Sequence, residues 1–158
     1  MAKIVLISCA SKKRTVRSKA KEMYDKSPLF RKSLEYAGLL KPDKIYILSA
    51  KHGLLGLEKE IDPYDETLSY LSAKQRAKKP NVKVLSKEEK RTWSDNVVSK
   101  LRGISNLNKD NFIFLAGKDY WGFLIPHITN YEIPMEHIGI VNRQPWLCRK
   151  ISNLKKQI

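Results

Sequence analysis

Cysteine is scarce. Cys9 and Cys148 are the only two in 158 residues. That is too few for a disulfide framework, and both thiols read as free, as in a cytoplasmic protein. Histidine is nearly as rare, with three copies. No spacing of Cys, His, Asp and Glu matches a metal site, so neither a metal nor a cofactor is expected. The seven glycines are scattered, and their absence between Ser8 and Arg14 excludes a Walker-type phosphate loop there. No apolar run approaches the ~20 residues of a membrane span. The first residues, Met1 to Ile7, are too short for a signal sequence and run into a Lys/Arg cluster, so they read as a strand.

Acids are also few. There are 16 Asp and Glu against 31 Lys and Arg, a net charge of +15. A fold does not need that excess. It points to a polyanionic partner, nucleic acid first, because neutralising phosphates releases counterions. Hydrophobic residues make up 42% of the chain, which suits a single soluble domain over residues 1–158 with its own core.

Three apolar runs read as buried strands: Lys3 to Cys9, Ile45 to Leu48, and Asn111 to Ala116. Each ends in a small, polar turn. Ser8-Cys9-Ala10-Ser11-Lys12-Lys13-Arg14 follows the first, Ser49-Ala50-Lys51-His52-Gly53 the second, and Gly117-Lys118-Asp119-Tyr120-Trp121-Gly122 the third. In a doubly wound α/β sheet such turns converge on one edge, where ligands bind. Ser8, Cys9 and Ser11, with Lys12, Lys13 and Arg14, could cradle a phosphate or a polar base. Cys9 reads either as a nucleophile or as a small residue buried at a strand end. Asp119 and Tyr120 join the candidates from the third turn, with Trp121 as a stacker. Just after the second turn, Asp62-Pro63-Tyr64-Asp65-Glu66-Thr67 adds two acids on a loop, because Pro63 disfavours a helix. Asp62, Asp65, His52 and Lys51 thus form a candidate catalytic set. A surface loop with ordinary ion pairs fits the same residues.

Helices fill the remainder. Residues 15–26 read as a loop or short helix, with Tyr24 stacking at the site or packed in the core. Ser27-Pro28 starts a helix with Phe30, Leu34 and Ala37 on its buried face, closed by Gly38. Leu68 to Lys79 reads as a basic helix carrying Lys78 and Lys79, followed by a linker over 81–85. Ser86 to Glu89 is a capping box, and Trp93, Val97 and Leu101 form the buried stripe behind it, which Gly103 ends. Phe123 to Pro126 suggests another helix start. A weaker strand is expected over Tyr131 to Ile140 and a terminal helix from near Pro145. Asn142, Arg143 and Gln144, just before that point, either read base edges or cap the helix.

Four stretches together resemble a family of small bacterial and phage domains. They are Ile7 to Lys13, then Tyr24 with Ser27 to Phe30, then Leu48 to Leu54, then Pro63 to Leu68. That family is similar to the uracil-DNA glycosylase superfamily, to peroxide-stress DNA-binding proteins and to a domain of archaeal tRNA-modifying enzymes. The resemblance implies an α/β three-layer sandwich with a mostly parallel central sheet, uracil-DNA-glycosylase-like. It also implies DNA with modified bases as partner and, in phage defence, excision of glucosylated hydroxymethylcytosine to leave an abasic site. The superfamily's water-activating loop lies after its first strand, whereas the nearest echo here, Asp62-Pro63-Tyr64, lies after the second. Its His-Pro-Ser-Pro-like loop is missing.

On this reading Asp65 or Asp62 stabilises the oxocarbenium-like transition state, and His52 or Lys51 donates to the leaving base. Tyr64, Tyr24 or Tyr120 stacks on the flipped base, and Lys12, Lys13, Arg14, Lys78 and Lys79 hold phosphates. Lys51 would be the amine of a lyase variant. A basic binding module without chemistry, or an enzyme acting on a nucleotide or sugar phosphate, fits the same composition.

Overall fold

The computed structural model describes residues 1–157. In chain order the elements are β1 Lys3–Ser8, β2 Ser18–Lys19, α1 Ala20–Met23, α2 Pro28–Leu39, β3 Lys44–Ser49, β4 Gly53–Gly56, β5 Glu60–Ile61 and β6 Glu66–Thr67. Then come α3 Ala73–Lys78, β7 Lys83–Val84, α4 Lys87–Ile104, β8 Asn111–Leu115, α5 Lys118–Trp121, a 3-10 turn Ile125–His127, β9 Asn130–Glu132 and α6 Ile140–Lys156.

The central sheet has five strands in the order β4-β3-β1-β8-β9. All neighbours run parallel except β3 and β4. β1 lies in the middle, with Ile7 level with Ile47 on one side and Leu115 on the other. Side chains alternate across a strand, so β1 serves two cores. Ile4 and Leu6 pack with Phe112, Phe114, Trp93, Val97 and Leu101 on the α4 side. Val5 and Ile7 pack with Phe30, Ala37, Leu147 and Ile151 on the side of α2 and α6. Burial on both faces explains why the strands read as unbroken apolar runs. Helices on both faces of a mostly parallel sheet are the α/β architecture expected.

Local signals set most boundaries. The Ser27 hydroxyl accepts from the Phe30 amide, and Ser86 and Glu89 form a reciprocal capping box. Each such cap stabilises by roughly 0.5–2 kcal/mol. The turn after β3 reaches β4 through Gly53, whose φ of 68° is left-handed and favours glycine. The helices run slightly past the predicted glycine stops, α2 to Leu39 and α4 to Ile104.

Four boundaries differ from expectation. The basic helix is only α3, because Ser72 caps it in a reciprocal box with Gln75, and on either side of it the chain pairs: the Lys83 amide donates to the Asp65 carbonyl at 2.7 Å and Leu85 to Thr67 at 3.0 Å. The supposed linker over 81–85 is therefore part of a strap running from Asp65 to Leu85. The last strand stops at Glu132, shortly before Pro134. Phe123 to Pro126 yields only the 3-10 turn. Finally, α6 starts at Ile140 and carries Pro145 inside it. The bond Pro145 cannot donate would go to Val141, whose turn is open to water, Val141 being 82% exposed. No helix among the described residues is long and apolar enough to cross a membrane.

Candidate functional site

β1 sits between β3 and β8, and the chain leaves it in one direction and returns past it in the other. The carboxyl ends of β1 and β8 therefore diverge into a crevice at a topological switch point. A cleft of about 850 Å³ opens there. Residues 8–13 after β1 and Ala116, Gly117 and Tyr120 after β8 line its base. Phe30 and Ser33 of α2 and Arg143 of α6 form one wall, and the strap from Asp65 to Val82 forms the other.

At the base, the Cys9 sulfur and the Tyr120 hydroxyl are 3.3 Å apart. Burial holds the Tyr120 phenol well above its ordinary pKa. Lys13 is half-buried, with its ammonium 4.5 Å from the centroid of the Tyr64 ring, a cation–π contact. Burial pulls the Lys13 pKa down, partly opposed by Cys9 and Asp65. Lys12, Lys78, Lys79 and Arg143 also face the cleft. Among the described residues none of these five cations sits within 4.0 Å of a carboxylate. Unpaired cations around a concave site form a strong anion-attracting field.

The structure gathers some sequence candidates here and separates others. Ser8, Cys9, Ser11, Lys12, Lys13, Asp65, Lys78, Lys79 and Tyr120 all line the cleft. Asp62 does not: it is exposed and paired with Arg17 at 3.1 Å. Arg14 is held by Asp25 and Glu22, so it is no free phosphate ligand. Tyr24 is fully buried, and Tyr64 and Tyr120 nearly so, leaving none of the three rings an open face for a base, although Tyr120 lines the base of the cleft. Asp119 is exposed outside the cleft and accepts from the Tyr70 amide at 3.3 Å.

Lys51 and His52 open into a second cavity of about 720 Å³ against α4. The expected set of Asp62, Asp65, His52 and Lys51 is thus not assembled, and Asp65 alone reaches the cleft. Tyr64 is the physical reason. Its side chain fills the interior beside His52, ring centroids 5.4 Å apart, while Asp65 next to it points outward. His52 Nε2 is buried without a hydrogen-bond partner, and burial followed by the Lys51 charge lowers its pKa. Among the described residues no group of three or more His, Cys, Asp or Glu could hold a metal ion.

Residues 4–149 match a family described as "Family of unknown function (DUF6884)". The chain belongs to this family. No curated protein and no solved structure matches it.

The DUF6884 match runs from Ile4 in β1 to Arg149 in α6 and so takes in every element around the cleft. Several residues lining the cleft of this DUF6884 chain carry no site role in the sequence reading: Ser33, Ser69 and Tyr70, and also Ser27, read there as a helix cap, and Thr67, read as part of the loop after Asp62. Ser33 did carry a signal. It shares a helix face with Phe30 and Ala37 and is only 3% exposed, so a polar residue stands where the periodicity calls for an apolar one. Arg143 had two readings, cap or base reader. Its Nε donates to the Ile138 carbonyl at 3.0 Å, and its guanidinium lies over Gly117 at the cleft.

Proposed function

We propose that the protein is a DNA glycosylase that hydrolyses the N-glycosidic bond of a modified base and leaves an abasic site. The observation that carries this reading is Asp65: a carboxylate in a cleft at the strand ends that it shares with Lys12, Lys13, Lys78, Lys79 and Arg143. A flipped nucleotide enters the cleft at a cost of a few kcal/mol. The flanking phosphates meet the exposed lysines. The C1′–N bond breaks with its electron pair going to the base. The Asp65 carboxylate stabilises the positive charge left on the sugar and takes a proton from the attacking water. The leaving base gains one proton in exchange. The motif resemblance supports a uracil-DNA-glycosylase-like fold, glucosylated hydroxymethylcytosine of phage DNA as the base, and anti-phage defence in the cytoplasm.

The test is abasic-site formation. The protein is incubated with T-even phage DNA carrying glucosylated hydroxymethylcytosine, with unmodified DNA and with uracil DNA, and the products are cleaved with alkali. Strand cleavage confined to the modified DNA and lost in Asp65→Asn is expected. Salt-sensitive binding without cleavage of any substrate would overturn excision. That outcome favours a second reading, a basic nucleic-acid-binding module without chemistry. The dispersal of His52, Lys51 and Asp62 away from Asp65 supports it.

A further inference from the structure

We propose that Lys13 carries a second activity in the same cleft: its ε-amine forms a Schiff base with the C1′ aldehyde of an abasic site and nicks the strand by β-elimination. This rests on the cleft receiving DNA, as in the proposed function, but not on which base is excised.

Three observations single out Lys13 among the cleft lysines. Lys12, Lys78 and Lys79 are exposed, whereas Lys13 is half-buried. Its ammonium is held over the Tyr64 ring at 4.5 Å instead of swinging in solvent. Asp65 lines the same cleft, and its charge acts on the amine. Burial also lowers the Lys13 pKa, which raises the share of neutral amine, the nucleophilic form. Lys51, the amine that the sequence alone offered, is exposed and belongs to the other cavity.

The chemistry balances without any redox partner. The Lys13 nitrogen lone pair attacks C1′ of the ring-opened sugar, and the carbonyl oxygen leaves as water. The Asp65 carboxylate takes a C2′ proton. The electron pair left behind expels the 3′ phosphate, breaking the C3′–O bond. Water then hydrolyses the imine, frees the unsaturated aldehyde and restores the amine.

The experiment treats the full chain with borohydride in the presence of a duplex carrying one preformed abasic site, and maps the trapped adduct by peptide mass. Modified phage DNA is assayed for excision in parallel. An adduct on Lys13, lost in Lys13→Arg and retained in Lys51→Ala, is expected. Lys13→Arg keeps the charge over Tyr64, so it removes the primary amine with the least disturbance of folding. The mapping on the unaltered protein does not depend on any variant. Excision without an adduct, or an adduct spread over surface lysines, overturns the lyase and leaves the glycosylase standing. An adduct on Lys13 without excision does the reverse. Neither adduct nor excision overturns both.

Discussion

The hydroxyl of Tyr24 lies 2.6 Å from the hydroxyl of Tyr64, 40 residues further along the chain. Tyr64 in turn meets the Ser49 hydroxyl at 2.8 Å. Ser49 also accepts from the His52 amide at its hydroxyl and from the Trp93 indole at its carbonyl. All three hydroxyls are buried. This chain ties the end of β3 to the residues after α1, to the loop before Asp65 and to α4. Tyr64→Phe leaves the Tyr24 hydroxyl and Ser49 each short of a partner inside the core. It is expected to cost about 1–3 kcal/mol in urea unfolding. Tyr24→Phe in the same background should add little, because the two hydroxyls satisfy each other. Strictly additive losses would show that the chain is not a unit.

Salt dependence separates cleft cations from structural ones. If DNA lies across the strap, Lys78→Ala and Lys79→Ala each flatten the slope of log affinity against log salt by about 0.9. Arg14→Ala should leave that slope unchanged, because Asp25 and Glu22 already occupy its guanidinium. Titrating a fluorescent duplex at several salt concentrations reads both. An Arg14 effect equal to that of Lys79 would overturn this division.

His52 makes stability depend on pH, with a definite sign. Its folded-state pKa is lowered below 6.5 by burial first, then by the Lys51 charge, with Lys100 acting the same way and Glu66 and Asp62 opposing. The unfolded chain therefore takes up a proton at this residue before the folded chain does. Stability is fully present above pH 6.5 and falls as pH drops from there toward the lower folded value. Urea midpoints measured on either side of pH 6.5 should show this loss, and His52→Gln should flatten it. The same slope in both proteins would assign the loss to other groups.

The capping box at the start of α4 offers a stability probe away from the cleft. Ser86→Ala removes an acceptor for the Glu89 amide and is expected to cost about 1 kcal/mol. Glu89 itself is held at about 2, mainly by its contact with Lys83, 2.7 Å away on β7. DNA affinity of Ser86→Ala at a temperature where it is folded should match that of the unaltered protein. A large affinity loss would mean that the strap depends on this cap.

Where the sequence was legible, the determinant was local. Ile4 to Ile7 and Phe112 to Leu115 are apolar without a break because both faces of their strands are covered. Ser27, Pro28 and Ser86 mark helix starts because a cap is made with residues three positions away. The start of α6 was misplaced because Gly139 caps it without a side chain and Pro145 lies in an exposed turn, where the missing bond is cheap. The short pairing of β6 with β7 left no periodic trace in two-residue strands.

By itself the sequence determined an α/β chain with three buried strands, polar turns at their ends and a strong positive charge. Those properties follow from side-chain alternation, caps and composition, which act over a few residues. Only the tertiary structure decided which polar residues share a site. Tyr64 turns inward and Asp65 outward, the hairpin of β3 and β4 carries His52 toward α4, and Arg14 finds Asp25. Proximity along the chain could not order these choices, because direction is set by which face each side chain must bury and by partners that only folding brings near.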